Sequence, residues 1–324
     1  MKERVKLMDF RSDIRVVDAT MWDGGLVNDF YFSDEFVRSL YLTNLKAGVD
    51  YMEFGYKASR EMFDESKFGK WKFCKDEDIR AIVGDNNTDL KIAVMADVGR
   101  CDYKTDIIPK NESPIDLIRV ATYINTIPAA IDMIENAAAK GYETSCNLMA
   151  VSNAQEKDVE IAMDLVAQTN VKVLYIVDSY GVFCPEQLVR LIDIYMNAAA
   201  KYGKEVGIHA HNNQQLAFAN TIEAVGDGVN YLDATYNSMG RGAGNCAMEL
   251  LLSFLKNPKY NVYPVFQFIQ KHMAKLKEDG VVWGYDLQYL LTSILNQHPR
   301  SAIEFTNEKR TDYADFYCEL IGRD

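Results

Sequence analysis

A closed (β/α)8 TIM barrel with a helical C-terminal extension is the fold this sequence predicts, and three observations predict it. Eight short β-rich runs recur along the first 236 residues. Their starts fall roughly 25–40 residues apart, the spacing of strand–helix units in a parallel sheet. Several runs are almost continuously apolar before a polar end, as strands covered on both faces are. Periodicity leaves a doubly wound open sheet as the alternative, and the count of eight favours closure.

The runs are RVVDAT (15–20), YMEFGY (51–56), KIAVMAD (91–97), DLIRVAT (116–122), YETSCNLMA (142–150), VLYIVDSY (173–180), EVGIHAH (205–211) and YLDATY (231–236). After the first, SDEFVRSLYLTNLKAG opens with Ser33 as a helix cap and closes at Gly48. After the fourth, TIPAAIDMIENAAAKG places Pro128 in a first turn and Gly141 past the helix end. Residues 98–114 depart from the pattern and read as loop with at most a short helix. After about residue 257 the alternation stops. The chain therefore divides into a barrel domain over 1–257 and a helical extension over 258–324. In the extension, Leu287, Leu290, Leu291, Ile294 and Leu295 fall on one helical face, expected to pack on the barrel or on a partner.

The 48% hydrophobic content is enough for a full core. A formal charge of −12 lacks the basic footprint of a general nucleic-acid binder. Six cysteines carry no C-x-x-C pair or finger spacing and read as reduced thiols of a cytoplasmic protein. The N-terminal stretch MKERVKLMDFRSDIRVV lacks the apolar run of a signal peptide, and no stretch approaches a membrane span.

Chemistry concentrates in GIHAHNN (207–213), which holds two of only four histidines. On a strand, residues two apart project to the same side, so His209 and His211 point together. They end the seventh strand, and C-terminal strand ends form the active-site face of a barrel. Two imidazoles there suit a divalent metal with open positions, or two hydrogen-bonded core histidines. Asp23, in DATMWDGG, can add a carboxylate. In NSMGRGAGNCAMELL, glycines permit sharp turns and Asn245 is expected to begin a helix.

Together, D-x-T-x-x-D-G (18–24), H-x-H-N (209–212) and M-G-R-G-A-G-N (239–245) resemble the DRE-TIM metallolyases, with Y-x-E-x-G-Y (51–56) and V-D-S-Y-G (177–181) in register. The tail GYDLQYLLTSILNQHPRSA resembles an aldolase-like branch of that superfamily. The resemblance implies a TIM barrel with a divalent ion held by Asp23, His209, His211 and Asn245, Mg²⁺ or Mn²⁺ first and Zn²⁺ also admissible. It implies a small 2-oxo acid substrate, a carbon–carbon bond broken or made, and Lewis-acid help with the charge that develops. It further implies a homo-oligomer, and a partner enzyme docking on the C-terminal helices.

The chain departs from the family at three places. The position of the signature arginine holds Trp22, which has only a neutral N–H donor. The position of the aldolases' base falls at or near Leu26, and the lyase's cysteine loop has no counterpart. Glu53 inside the barrel then needs another cation. Lys57, two residues beyond Gly55 on the same strand face, is the first candidate, and Arg119 the second. Arg119 can also simply pair with a carboxylate such as Asp97. Asp178, Ser179 and Tyr180 at the end of the sixth strand are expected to face substrate, and Asn147 on the fifth to bind substrate or satisfy backbone. Tyr56, Tyr180 and Tyr236 are candidate bases by position. Three functions follow: an aldol-type lyase on a 4-hydroxy-2-oxo acid, a Claisen-type acyltransferase on the same metal, or a non-catalytic barrel that binds a ligand or partner.

Overall fold

The computed structural model describes residues 10–322. Residues 1–9, most of the stretch read above for a signal peptide, lie outside the described residues. The eight predicted runs form eight parallel strands: β1 (Arg15–Asp18), β2 (Tyr51–Tyr56), β3 (Lys91–Asp97), β4 (Leu117–Thr122), β5 (Glu143–Leu148), β6 (Val173–Asp178), β7 (Glu205–Ala210) and β8 (Tyr231–Ala234). They close in sequence order, because β1 pairs with both β2 and β8; Val17 sits opposite Tyr51 on one side and Asp233 on the other. Closure removes the open-sheet alternative and leaves no edge strand to protect.

Local chemistry ends several strands earlier than their apolar runs. At β1 the Asp18 carboxylate accepts from the Thr20 backbone N–H (2.9 Å) and from Asn44 Nδ2 (2.6 Å). That turn diverts the chain into a single helical turn, Thr20–Gly24, which carries Asp23. Ser33 caps the helix Asp34–Ala47 as expected, accepting from Phe36 N at 3.2 Å, and Gly48 ends it at φ 75°. Segment 98–114 holds only short turns of helix, at Tyr103–Asp106 and Lys110–Glu112.

Inside the barrel, Val17, Tyr51, Leu117, Tyr175 and Tyr231 make an apolar floor. Above it, the inward side chains turn polar: Glu53, Arg119, Asn147, His209 and Asp233 are all buried. A polar interior is costly unless its members satisfy one another, so this cluster is where function is to be sought.

Helices follow the barrel, among them Met248–Phe254, Tyr263–Phe268, Leu287–Ile294, Arg300–Asn307 and Tyr313–Leu320. The expected leucine face of Leu287–Ile294 is not the face that packs inward. Gln288, Thr292 and Ser293 are buried, while Leu287 and Ile294 are 37% and 51% exposed. The reason is what the helix lands on. The barrel mouth presents polar groups: Ser293 Oγ donates to Gly181 O (2.9 Å) and accepts from Gln214 Nε2 (3.1 Å). All six cysteines are free, and among the described residues no helix is long and apolar enough to cross a membrane.

Candidate metal centre

Strand ends and loops bring Asp23, His209 and His211 together at the C-terminal barrel mouth. Their ligand atoms all lie within 4.8 Å of one another, and all three side chains are buried. Asn245 joins them by a backbone device. The loop after β8 folds back onto the end of β7, where Asn212 N donates to Gly244 O (2.7 Å) and Asn245 bridges His211. Gly244 permits the fold-back, at φ 82° with Ser238 O 1.9 Å from where a Cβ would stand. The helix expected to begin at Asn245 begins instead at Met248, so Asn245 is free to turn inward.

The hydrogen bonds suit a cation. Asp23 Oδ2 accepts from Asn245 Nδ2 (2.8 Å) and Arg241 N (2.9 Å), and Oδ1 faces His211 Nε2 at 3.8 Å. Burial works against the Asp23 carboxylate, but the Arg241 charge and the hydrogen bond from Asn245 favour its ionised form. Burial pushes His211 down to about 3, so its ring is neutral with a lone pair to give. His209 Nδ1 lies 3.0 Å from Asp233 Oδ2. A carboxylate can only accept, so it holds the proton on Nδ1 and leaves Nε2 a bare lone pair. His209 Nε2 and Asn245 Oδ1 are buried and have no hydrogen-bond partner. Two orphaned donors of electron density beside a carboxylate and a neutral imidazole fit a divalent ion. Gly240 keeps the pocket open. A Cβ there would stand 2.2 Å from Asn245 Nδ2 and 2.3 Å from Asp23 Oδ2. Gly240→Ala is therefore expected to weaken metal affinity by about tenfold or more, measured by titration of Mn²⁺.

Below the cluster lies a buried polar network centred on Arg119. Arg119 Nη1 bonds Glu53 Oε2 (2.5 Å) and Nη2 bonds Asp233 Oδ2 (2.6 Å), with all three side chains essentially unexposed. The second candidate, not the first, thus compensates Glu53. Lys57 is corrected: its ammonium pairs with Asp76, away from Glu53. A kink between Glu53 and Tyr56, where the β2–β3 register shifts, breaks the shared strand face on which Lys57 was placed. Trp22 packs edge-on against His209 with centroids 4.8 Å apart, and Arg119 lies 5.5 Å from its ring. Burial pushes the Glu53 carboxyl up to about 8 against the pull of Arg119. Burial also opposes the Asp233 carboxylate, yet Arg119 and the His209 bond keep it low. Sequence reasoning passed over Asp233. The signal was an acid alternating with Tyr231 on the inner face of YLDATY.

The other candidates lie around the rim. Asn147 Oδ1 accepts from Ser145 Oγ (2.7 Å), with Nδ2 unpartnered in the barrel. Asp178 turns to its own loop, accepting from Val182 N (2.9 Å) and Phe183 N (3.3 Å). Ser179 Oγ accepts from Ala150 N (2.8 Å), and Tyr180 packs against His298. Burial raises the pKa of Tyr56, Tyr180 and Tyr236, and Tyr236 donates to Asn44 (3.0 Å) outside the site.

Burial raises Asp178 to about 7, against its backbone hydrogen bonds. A raised carboxyl binds its proton more tightly in the folded state. Its contribution to stability is full below about pH 4 and is lost as the pH climbs through 7. In metal-free protein we expect Asp178 to lower the unfolding free energy by an amount on the order of 2–4 kcal/mol across that window, and Asp178→Asn to remove that share of the slope, leaving what Glu53 and the other raised acids contribute. Denaturant titrations at stepped pH give the comparison; equal slopes in both proteins would contradict it.

Comparison with known proteins accords with these motifs. An oxaloacetate decarboxylase of Mycobacterium tuberculosis is 30% identical over 245 residues, covering 74% of this chain and 69% of the relative. A 4-hydroxy-2-oxovalerate aldolase of Bacillus cereus is 28% identical over 329 residues, covering 96% and 91%. Among solved structures, hydroxymethylglutaryl-CoA lyase from Pseudomonas aeruginosa superposes with a TM-score of 0.66 at 16% identity, covering 81% of this chain and 93% of the other, a likeness of fold. The HMGL-like family profile matches residues 13–274, and the chain therefore belongs to the HMGL-like family, within the DRE-TIM superfamily whose motifs it carries.

Proposed function

We propose that this chain is a divalent-metal lyase that breaks a carbon–carbon bond in a small 2-oxo acid by aldol-type chemistry. The observation that carries the reading is the buried Asp23, His209 and His211 cluster, with the free His209 Nε2 and Asn245 Oδ1 beside it. Those four residues would hold Mg²⁺ or Mn²⁺, with Zn²⁺ also admissible, and the ion when bound would supply Lewis-acid polarisation of the 2-oxo group. The names of the two relatives, a decarboxylase of oxaloacetate and an aldolase of 4-hydroxy-2-oxovalerate, both describe 2-oxo acids.

In the reaction a 4-hydroxy-2-oxo acid gives up its C4 hydroxyl proton. The C3–C4 bond breaks, an aldehyde leaves, and the electron pair stays on the 2-oxo fragment as an enolate, which takes a proton at C3. The chain's own groups prepare this. Asp233 orients His209. Arg119 puts a fixed positive charge under the site, where the family arginine would otherwise act. Of the groups next to the metal cluster, Glu53, raised to about 8 and with Oε1 unpartnered, is tuned to exchange a proton near neutral pH. The tyrosines, all raised, are poorer bases. Lys57 takes no part in this reading.

Decarboxylation of a 2-oxo diacid is the second reading. Its support is the Mycobacterium tuberculosis relative, and it would leave the same enolate. The acyl-transfer alternative draws no support from either relative. A cytoplasmic homo-oligomer, with the exposed Leu287 and Ile294 face as a contact surface, belongs to the same proposal. Purified protein with Mg²⁺ or Mn²⁺ should release pyruvate from 4-hydroxy-2-oxovalerate or CO₂ from oxaloacetate. Metal-loaded protein inert on both, and on longer 4-hydroxy-2-oxo acids, would end the lyase reading.

A further inference from the structure

The C-terminal extension does more than cover the barrel. It is pinned across three mouth loops, with Ser293 on Gly181, Gln214 on Ser293, and Asn296 Nδ2 donating to Ser152 O (3.1 Å). This seats His298 at the rim, its ring 5.7 Å from that of Tyr180 and its Nε2 3.1 Å from Arg241 Nη1. Arg241 ties that spot to the metal cluster. Its backbone N–H donates to Asp23 Oδ2, and its Nη2 donates to Ser179 O (2.9 Å).

The His298 contacts cannot both be satisfied. Nδ1 accepts from the Arg300 backbone N–H (3.0 Å), so a neutral ring carries its proton on Nε2. That N–H then faces an arginine, which can only donate. Arg241 Nε, also buried, has no partner. Among the described residues, no carboxylate lies within 4 Å of the Arg241 or Arg300 guanidinium, although the chain carries twelve more acidic than basic side chains (47 against 35). Arg241 Nη2 reaches Ser179 O, but Nε, Nη1 and the His298 N–H meet no acceptor at the mouth of the site, and these donors lack an anion. One anionic oxygen can accept from His298 Nε2–H and Arg241 together, which removes the conflict and supplies the missing charge.

We propose that Arg241 and His298, the latter held by the Arg300 backbone N–H, form an anion subsite at the rim, and that it holds a second anionic group of the substrate, a carboxylate or a phosphate, on the aldehyde side of the bond that breaks. The subsite stands on the geometry alone; its assignment to substrate rests on the lyase reading. The extension is then part of the specificity machinery, and the substrate carries negative charge at both ends.

The test follows the His298 imidazole by NMR in full-length, Mg²⁺-loaded protein, with His298→Gln and His272→Gln for assignment. Inorganic phosphate and acetate are titrated separately. We expect a saturable shift of the His298 resonance, with affinity at least tenfold weaker in Arg241→Gln and the His272 resonance unmoved; the anion that binds tighter identifies the group. A second arm measures addition of pyruvate to glyoxylate against acetaldehyde, and to glyceraldehyde 3-phosphate against glyceraldehyde. The preference for one charged acceptor should fall at least tenfold in Arg241→Gln. Should that variant not fold, Arg241→Lys, which keeps a charge but loses the paired N–H donors, takes its place. A His298 resonance that ignores both anions, or that titrates equally in the arginine variants, overturns the subsite and leaves the lyase reading intact. Saturable, arginine-dependent binding without turnover of any 2-oxo acid supports the subsite and overturns the lyase reading.

Discussion

His209→Ala protein is expected to purify with less than about a hundredth of the wild-type affinity for Mg²⁺ or Mn²⁺ and with activity at background, a loss larger than removing an outer-shell partner causes. The reason is specific to this imidazole. Asp233 fixes its proton on Nδ1, and burial leaves Nε2 with nothing else to bond. Asp233→Asn is the graded comparison. It keeps the nitrogen ligand but loses the charge that fixes its tautomer, and should cost roughly 10–100-fold in metal affinity. Metal content by mass spectrometry, with turnover of a 2-oxo acid, measures both. A His209→Ala protein that keeps its metal and its activity would show that the cluster is not the centre.

The second large effect is on stability. Arg119→Met should destabilise the fold by about 3–5 kcal/mol, because it strands the Asp233 carboxylate and removes the partner of the Glu53 carboxyl in a dry interior. For a barrel of this size the midpoint of thermal unfolding should fall by something on the order of 10 °C. Desolvation opposes the Arg119 charge, yet Asp233 and Glu53 hold its pKa above the ordinary value, so it stays a cation. The Tyr175 ring, 4.4 Å from the guanidinium, adds to that preference. Adding Glu53→Gln to Arg119→Met should recover part of the loss, because one acid left without its partner is then gone. A loss below about 1 kcal/mol in the single variant would mean that the carboxylates simply take up protons, and that the network is not an ion triad in solution.

The contrast between Lys57 and Arg119 shows where reading the sequence reached its limit. Both were candidates to compensate Glu53, and strand alternation ranked Lys57 first because 53, 55 and 57 share parity. Alternation holds only while the strand is regular, and β2 loses its register with β3 beyond Glu53. Arg119 comes from a strand two places away around the barrel, a relation no local pattern records. Asp233 escaped notice for the same reason. Its role depends on Arg119 and His209 arriving from β4 and β7. The extension shows a different limit. A leucine stripe identifies a helix but not which face turns inward, and here the polar mouth loops drew the polar face.

By itself, then, the sequence determined the eight strands, their order of alternation with helices, and the family, because hydrophobic period and strand-end motifs are local properties. It also placed His209 and His211 together, since two residues two apart on a strand point the same way. Tertiary structure alone decided that the barrel closes, that Arg119 is the cation that pairs with Glu53 and Asp233, and that the extension brings His298 to the rim. Each of these is a meeting of groups remote in the chain, and charge balance in a buried space is settled only by who else is there.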